Sequence, residues 1–128
     1  TRTDTLFPYT TLFRSVTNAQ DLRLARSEVA KVGVGPEVTA YIVDLVRATR
    51  VSPSLSLGVS PRGATALLAT SRAWAWLNGR SFVTPDDVKN FALPTLRHRI
   101  KLRPEAELEG VSAASVIDGV LRMVAVPR

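Results

Sequence analysis

From Val16 onward the apolar residues recur at helical spacing, and the polar residues between them supply starts and stops. Thr17 with Gln20 three residues later has the form of a capping box, and Leu22, Ala25, Val29 and Val32 then share one helical face until Gly33. Gly35-Pro36 supplies a cap and a first-position proline for a second helix, in which Val38, Tyr41, Ile42, Leu45, Val46 and Thr49 follow i, i+3, i+4, i+7 spacing. Val51 to Val59, broken by Ser52-Pro53 and Gly58, reads as a loop. Ser60-Pro61 opens a third helix that stops at Asn78-Gly79 and turns Ala64, Leu67, Leu68, Ser71, Trp74 and Ala75 to the core.

After the short connector Arg80-Ser81-Phe82-Val83, the run Thr84-Pro85-Asp86-Asp87 combines a threonine cap, a first-position proline and acids over the positive end of a helix. Val88, Phe91, Ala92 and Leu96 form the buried face of this helix, and Pro94 is expected to break or kink it before Leu96 to Ile100. Arg103 to Gly110 reads as a polar loop. Ser112 begins a last helix, Ser115 to about Val124, with Val116, Val120 and Val124 on one face. These elements predict an all-α fold, a small bundle of four to five helices, with no strand pattern and no internal repeat.

Composition narrows the chemistry. The apolar fraction of 45% and charged fraction of 22% fit a folded globular chain rather than a disordered one. With no cysteine and one histidine, neither a disulfide framework nor a thiolate metal site is available, and no metal site is expected. No apolar run approaches the roughly 20 residues that cross a bilayer, and the N-terminal residues lack the charged, apolar and small-residue order of a signal peptide, so a cytoplasmic location is expected and no membrane partner. The net charge of +6 raises the expectation of a polyanionic partner without choosing between nucleotide, nucleic acid and an acidic protein surface.

The first fifteen residues differ in texture from the rest. Leu6, Phe7, Leu12 and Phe13 fit neither helical nor strand periodicity, and Pro8 interrupts them. Thr5 to Ser15, TLFPYTTLFRS, is similar to a sequencing adapter translated in one frame. Residues 1–15 are therefore expected to be a non-native or disordered leader and residues 16–128 a single helical domain. The basic excess persists without the leader, which carries Arg2, Arg14 and Asp4.

Five motifs occur in a characteristic order. Gly58-Val-Ser-Pro-Arg62-Gly-Ala is followed by the helix to Trp74-Ala-Trp76-Leu77, then Asn-Gly-Arg80, then Phe82-Val-Thr-Pro-Asp-Asp-Val88, and finally Leu96-Arg-His-Arg-Ile100. Each alone is common; together and collinear they resemble the lid of MoxR-family AAA+ ATPases, and more distantly the lid of magnesium-chelatase ATPase subunits.

The resemblance implies that Arg62, the arginine after Ser-Pro, is the sensor-2 residue that reaches the terminal phosphate of ATP. A planar guanidinium suits that task because its fork pairs with phosphate oxygens and offsets charge on the transferred group. It further implies a parent protein that uses ATP and Mg, an AAA+ core domain in the same parent chain, neighbouring subunits in a ring, expected to be a hexamer, and a client protein. The chain contains no G-x-x-x-x-G-K-[ST] loop and no apolar strand ending in paired acids, so hydrolysis by these residues alone is not expected. Asp86-Asp87 reads as helix N-terminal charge rather than a magnesium ligand. Gly63 stands where the family has alanine or another small residue, a departure that weakens the helix start without an evident role.

Arg97, His98 and Arg99, with Lys101 and Arg103 nearby, form the densest basic cluster and are candidate contacts to nucleotide or to a neighbouring subunit, beside the plainer reading of a solvated face. His98 has no nucleophile or carboxylate in a catalytic pattern. Trp74 is expected on the core face and Trp76 at an interface with another domain. Two readings compete with the lid. One is a free-standing basic helical nucleic-acid-binding module, for which only Arg62 stands suitably at a helix start; the other is a protein-interaction adaptor.

Overall fold

The computed structural model describes residues 14–128; the stretch read as a leader lies outside the described residues apart from Arg14 and Ser15. The described residues form helices α1 (Ala19–Ala30), α2 (Pro36–Arg50), α3 (Pro61–Leu77), α4 (Pro85–Leu96), the single-turn α5 (Pro104–Leu108) and α6 (Ala113–Met123). A two-stranded ribbon, β1 (Leu55–Leu57) and β2 (Lys101–Leu102), completes them. The fold is an all-α bundle, as the periodicity predicts.

α3 is the hub: it packs most extensively on α4 and also contacts α2 and α1, while α6 closes the bundle against α2 and α4. The α2 face reaches the core as expected, with Val38, Tyr41, Ile42, Leu45, Val46 and Thr49 all buried. Opposite them lie Leu67 and Ala75 of α3, Val88, Ala92 and Leu96 of α4, and Ile117 and Val120 of α6. A spacing of four residues from Gly63 through Leu67 and Ser71 to Ala75 gives α3 one buried stripe.

Several boundaries differ from expectation. The cap of α1 is Asn18, whose Oδ1 accepts from the Asp21 amide at 2.8 Å, rather than Thr17. Asparagine is at least as good a cap as threonine, and its use moves the start by one residue. No residue of α1 is buried, so Leu22 stays exposed and Val32, past the helix end, supplies the buried contact instead. Pro94 does not interrupt α4, which runs through it to Leu96 and continues as a turn in which the Arg97 amide donates to Leu93 O. The missing proline N–H costs one helical bond near an end that is already finishing.

The expected loops contain structure. β1 pairs antiparallel with β2, Leu55 opposite Leu102 and Leu57 opposite Lys101 with an irregularity between them. Strands of three and two residues are too short to show alternation. Ala106 of α5 is buried, and Gly110, at φ 84°, ends that turn in the left-handed region that favours glycine. On α6, Ile117 joins Val116 and Val120 in the core, and Val124 lies beyond the helix end.

Candidate functional site

Arg62 is the second residue of α3 and is exposed. Among the described residues it forms no salt bridge. The N-cap Ser60 makes no side-chain capping bond, and the first turn of α3 contains no acid. This differs from α4, where Thr84 and Asp87 close a capping box. The start of α3 therefore combines the positive end of a helix with a guanidinium that no carboxylate among the described residues pairs with.

That start is fixed from α2. The Val59 amide donates to Thr49 Oγ1 at 2.9 Å, and Arg50 Nε donates to Val59 O at 2.9 Å. Thr49, with 0% exposure, donates its own hydroxyl hydrogen bond to Val46 O at 2.6 Å. Val59 is likewise wholly buried. A Cβ at Gly58 would stand 2.7 Å from Arg50 Cα, so the chain crosses the end of α2 at backbone contact. Gly63 acquires a role here: a Cβ on it would overlap Val59 Cγ1, so glycine is what lets Val59 sit under the first turn of α3.

The same turn receives Arg99. After α4 ends, the Arg99 amide donates to Leu96 O at 2.9 Å and its Nε to Thr95 O at 3.2 Å. Its Cδ comes within 3.5 Å of where a Gly63 Cβ would be. Thr95 is tied to α3 by a 3.1 Å contact with Thr70 Oγ1. Arg99, half-buried, is thus brought beside the turn that carries Arg62, whereas Arg97 and His98 are exposed and make no side-chain hydrogen bond among the described residues.

Asp86 and Asp87 separate in role. Asp87 is buried, accepts from the Thr84 amide at 2.8 Å, and receives both terminal nitrogens of Arg80 at 2.7 and 2.6 Å. Burial pushes its carboxyl up, but the Arg80 and Thr84 hydrogen bonds outweigh that and hold it below the usual carboxylate range. Nothing in the sequence pairs Arg80 with Asp87 beyond the sign of a cation placed ahead of a capping box. No group of three or more His, Cys, Asp or Glu side chains suited to a metal ion occurs among the described residues, so no magnesium ligand set is found in them.

Other features take no part in this arrangement. Trp76, rather than Trp74, packs on the core cluster, while Trp74 sits partly buried with its ring 5.3 Å from that of Phe91. Trp76, partly buried, also lines an open groove with Leu22, Ala25 and Val29 of α1. A groove of about 410 Å³ between the end of α2 and α6 is lined by Ala48, Val51, Val116, Val120 and Met123 among others, none of them titratable.

Residues 47–120 match the family described as AAA lid domain. The chain is 41% identical to the protein YeaC of Bacillus subtilis, over 84% of this chain and 34% of that protein. It is 31% identical to the chaperone MoxR1 of Mycobacterium tuberculosis over 90% of this chain and 33% of MoxR1. To the protein MoxR of Paracoccus denitrificans it is 36% identical, over 72% and 31% respectively. A crystal structure of a proposed ATPase from Cytophaga hutchinsonii superposes with a TM-score of 0.85 at 30% identity, covering 99% of this chain and 41% of that one. The chain spans about a third of the length of the curated relatives it matches.

Proposed function

Since this chain belongs to the AAA lid domain family, in its MoxR-type branch, we propose that it closes over the nucleotide of a longer ATPase and that Arg62 is the sensor-2 arginine. One observation carries this reading: Arg62 is exposed and without a carboxylate partner among the described residues, yet its turn is anchored to α2 on both main-chain groups of Val59. An unpaired cation on a rigid mount suits a ligand of opposite charge whose position must be read accurately.

The residues fit a phosphate better than a metal. Arg62 would pair with the terminal phosphate of ATP, and Arg99, beside the same turn, would add a second positive charge at that end of the nucleotide. Arg97 and His98 are assigned outward, toward a neighbouring subunit. Bound ATP supplies the phosphoryl group. Mg is assigned to the core domain, because Asp87, the buried acid among the described residues, is already held by Arg80 and Thr84. The partners are then the AAA+ core of the same parent chain, adjacent subunits of a ring that is a hexamer, and a client protein handled in a chaperone-like manner. The basic excess serves nucleotide phosphate and subunit contacts rather than nucleic acid. No helix among the described residues is long and apolar enough to cross a membrane.

The test is Arg62→Ala in the full-length ATPase that carries this lid. Turnover is expected to fall by at least about tenfold, as for the loss of one donor to a charged transition state. Thermal stability is expected to change by less than about 0.5 kcal/mol, because the side chain is exposed. Unchanged turnover would remove the sensor assignment.

A further inference from the structure

We infer that Thr49 is a positioning residue for Arg62, acting through Val59; this rests on the reading of Arg62 as the phosphate sensor. The start of α3 lacks a fixing device of its own. α1, α4 and α6 begin at caps whose side chains bond their own first turns, from Asn18, Thr84 and Ser112. At α3, Ser60 makes no such bond. The restraint comes instead from two consecutive residues of α2, with Thr49 Oγ1 holding the Val59 N–H and Arg50 Nε holding the Val59 carbonyl. Two residues separate Val59 from Arg62, Ser60 in extended geometry and Pro61 with its fixed φ. Little freedom remains between the clamp and the guanidinium.

The hydroxyl matters as well as the size. Thr49 occupies a core position on α2, where valine would fill the same volume. Its proton goes to Val46 O and its lone pair accepts the Val59 amide, so it joins the end of α2 to the approach to α3. Valine would leave the Val59 N–H buried without that acceptor, and the turn bearing Arg62 would lose its registration to α2. Gly58 and Gly63 complete the seat by removing side chains that would meet Arg50 and Val59.

The experiment measures kcat and KM for ATP hydrolysis by the full-length ATPase carrying Thr49→Val, Thr49→Ser or Arg50→Ala, each with and without Arg62→Ala, together with Tm. Thr49→Val is expected to lower kcat between about fivefold and a hundredfold, the range for displacement of a catalytic group by about an ångström. KM should change little, and Thr49→Ser, which keeps the acceptor, should recover most of the loss. Once Arg62→Ala is present, Thr49→Val should lower kcat no further. If Thr49→Val proves unfolded, Arg50→Ala carries the test, since Arg50 is exposed and holds the other side of Val59; a kcat loss that vanishes with Arg62→Ala supports the inference. Wild-type kcat in the folded variants, or an equal further loss in the Arg62→Ala background, overturns it while leaving the sensor in place. An Arg62→Ala variant with full activity overturns both the sensor reading and this inference.

Discussion

Arg80 and Asp87 meet across the turn between α3 and α4 as a two-point pair, Nη1 to Oδ2 at 2.7 Å and Nη2 to Oδ1 at 2.6 Å. The Asp87 side chain is only 3% exposed, and it closes the α4 capping box with Thr84 as well. Arg80 also reaches Phe82 O, in the segment that bridges to Gly33, so one guanidinium ties the connector to the first turn of α4.

A dependence of stability on pH follows. The folded-state pKa of Asp87 is depressed, so its contribution is fully present above the unfolded value of about 3.9 and is lost as pH falls through the lower folded value. Asp87→Asn should lower Tm by several degrees at neutral pH, with the gap to wild type narrowing steadily below about pH 4. Thermal melts from pH 2 to 7 measure it. A gap that stays constant over that range would show that the ion pair contributes nothing.

Gly63→Ala sets two effects against each other. Helix propensity alone favours alanine by about 1 kcal/mol. The overlap with Val59 Cγ1, in a site without spare volume, costs about 1–3 kcal/mol. A net loss of up to about 2 kcal/mol is expected in urea denaturation, and adding Val59→Ala should cost less in this background than in the wild type. A stabilised Gly63→Ala variant would contradict the packing described for Val59.

Tyr41 is buried with a hydroxyl that finds no hydrogen-bond partner among the described residues. Burial first, and the charge of Asp86 second, push its pKa above the usual phenolic value, so the group stays neutral at working pH. Removing an unpaired buried hydroxyl relieves a desolvation cost. Tyr41→Phe should therefore change stability by less than about 0.5 kcal/mol or raise it, whereas a loss above about 1 kcal/mol would reveal a partner for the hydroxyl.

The sequence reveals most where burial is regular. The α2 face from Val38 to Thr49 and the start of α4 at Thr84 are legible because periodicity and capping are local properties. The β1–β2 ribbon is not, because strands of three and two residues carry no period and their pairing joins residues far apart in the chain. Arg62 and Arg99 are both visible as candidates, but the approach of Arg99 to the turn at Gly63 depends on how α4 lies against α3. Thr49 shows as a core-face residue and Gly63 as a weak helix former, and neither pattern discloses the Val59 seat they build. The Arg80 pair with Asp87 has the same character: seven residues apart, joined only by the turn between two helices.

The proposed sensor role requires Arg62 to face the terminal phosphate of ATP. A structure of the full-length ATPase with a non-hydrolysable ATP analogue and magnesium tests it most directly. An Arg62 guanidinium nitrogen is expected within about 3 Å of a terminal phosphate oxygen, the distance of a charge-assisted hydrogen bond. An Arg62 side chain directed away from every nucleotide in the assembly, with the phosphate held by other residues, would contradict it.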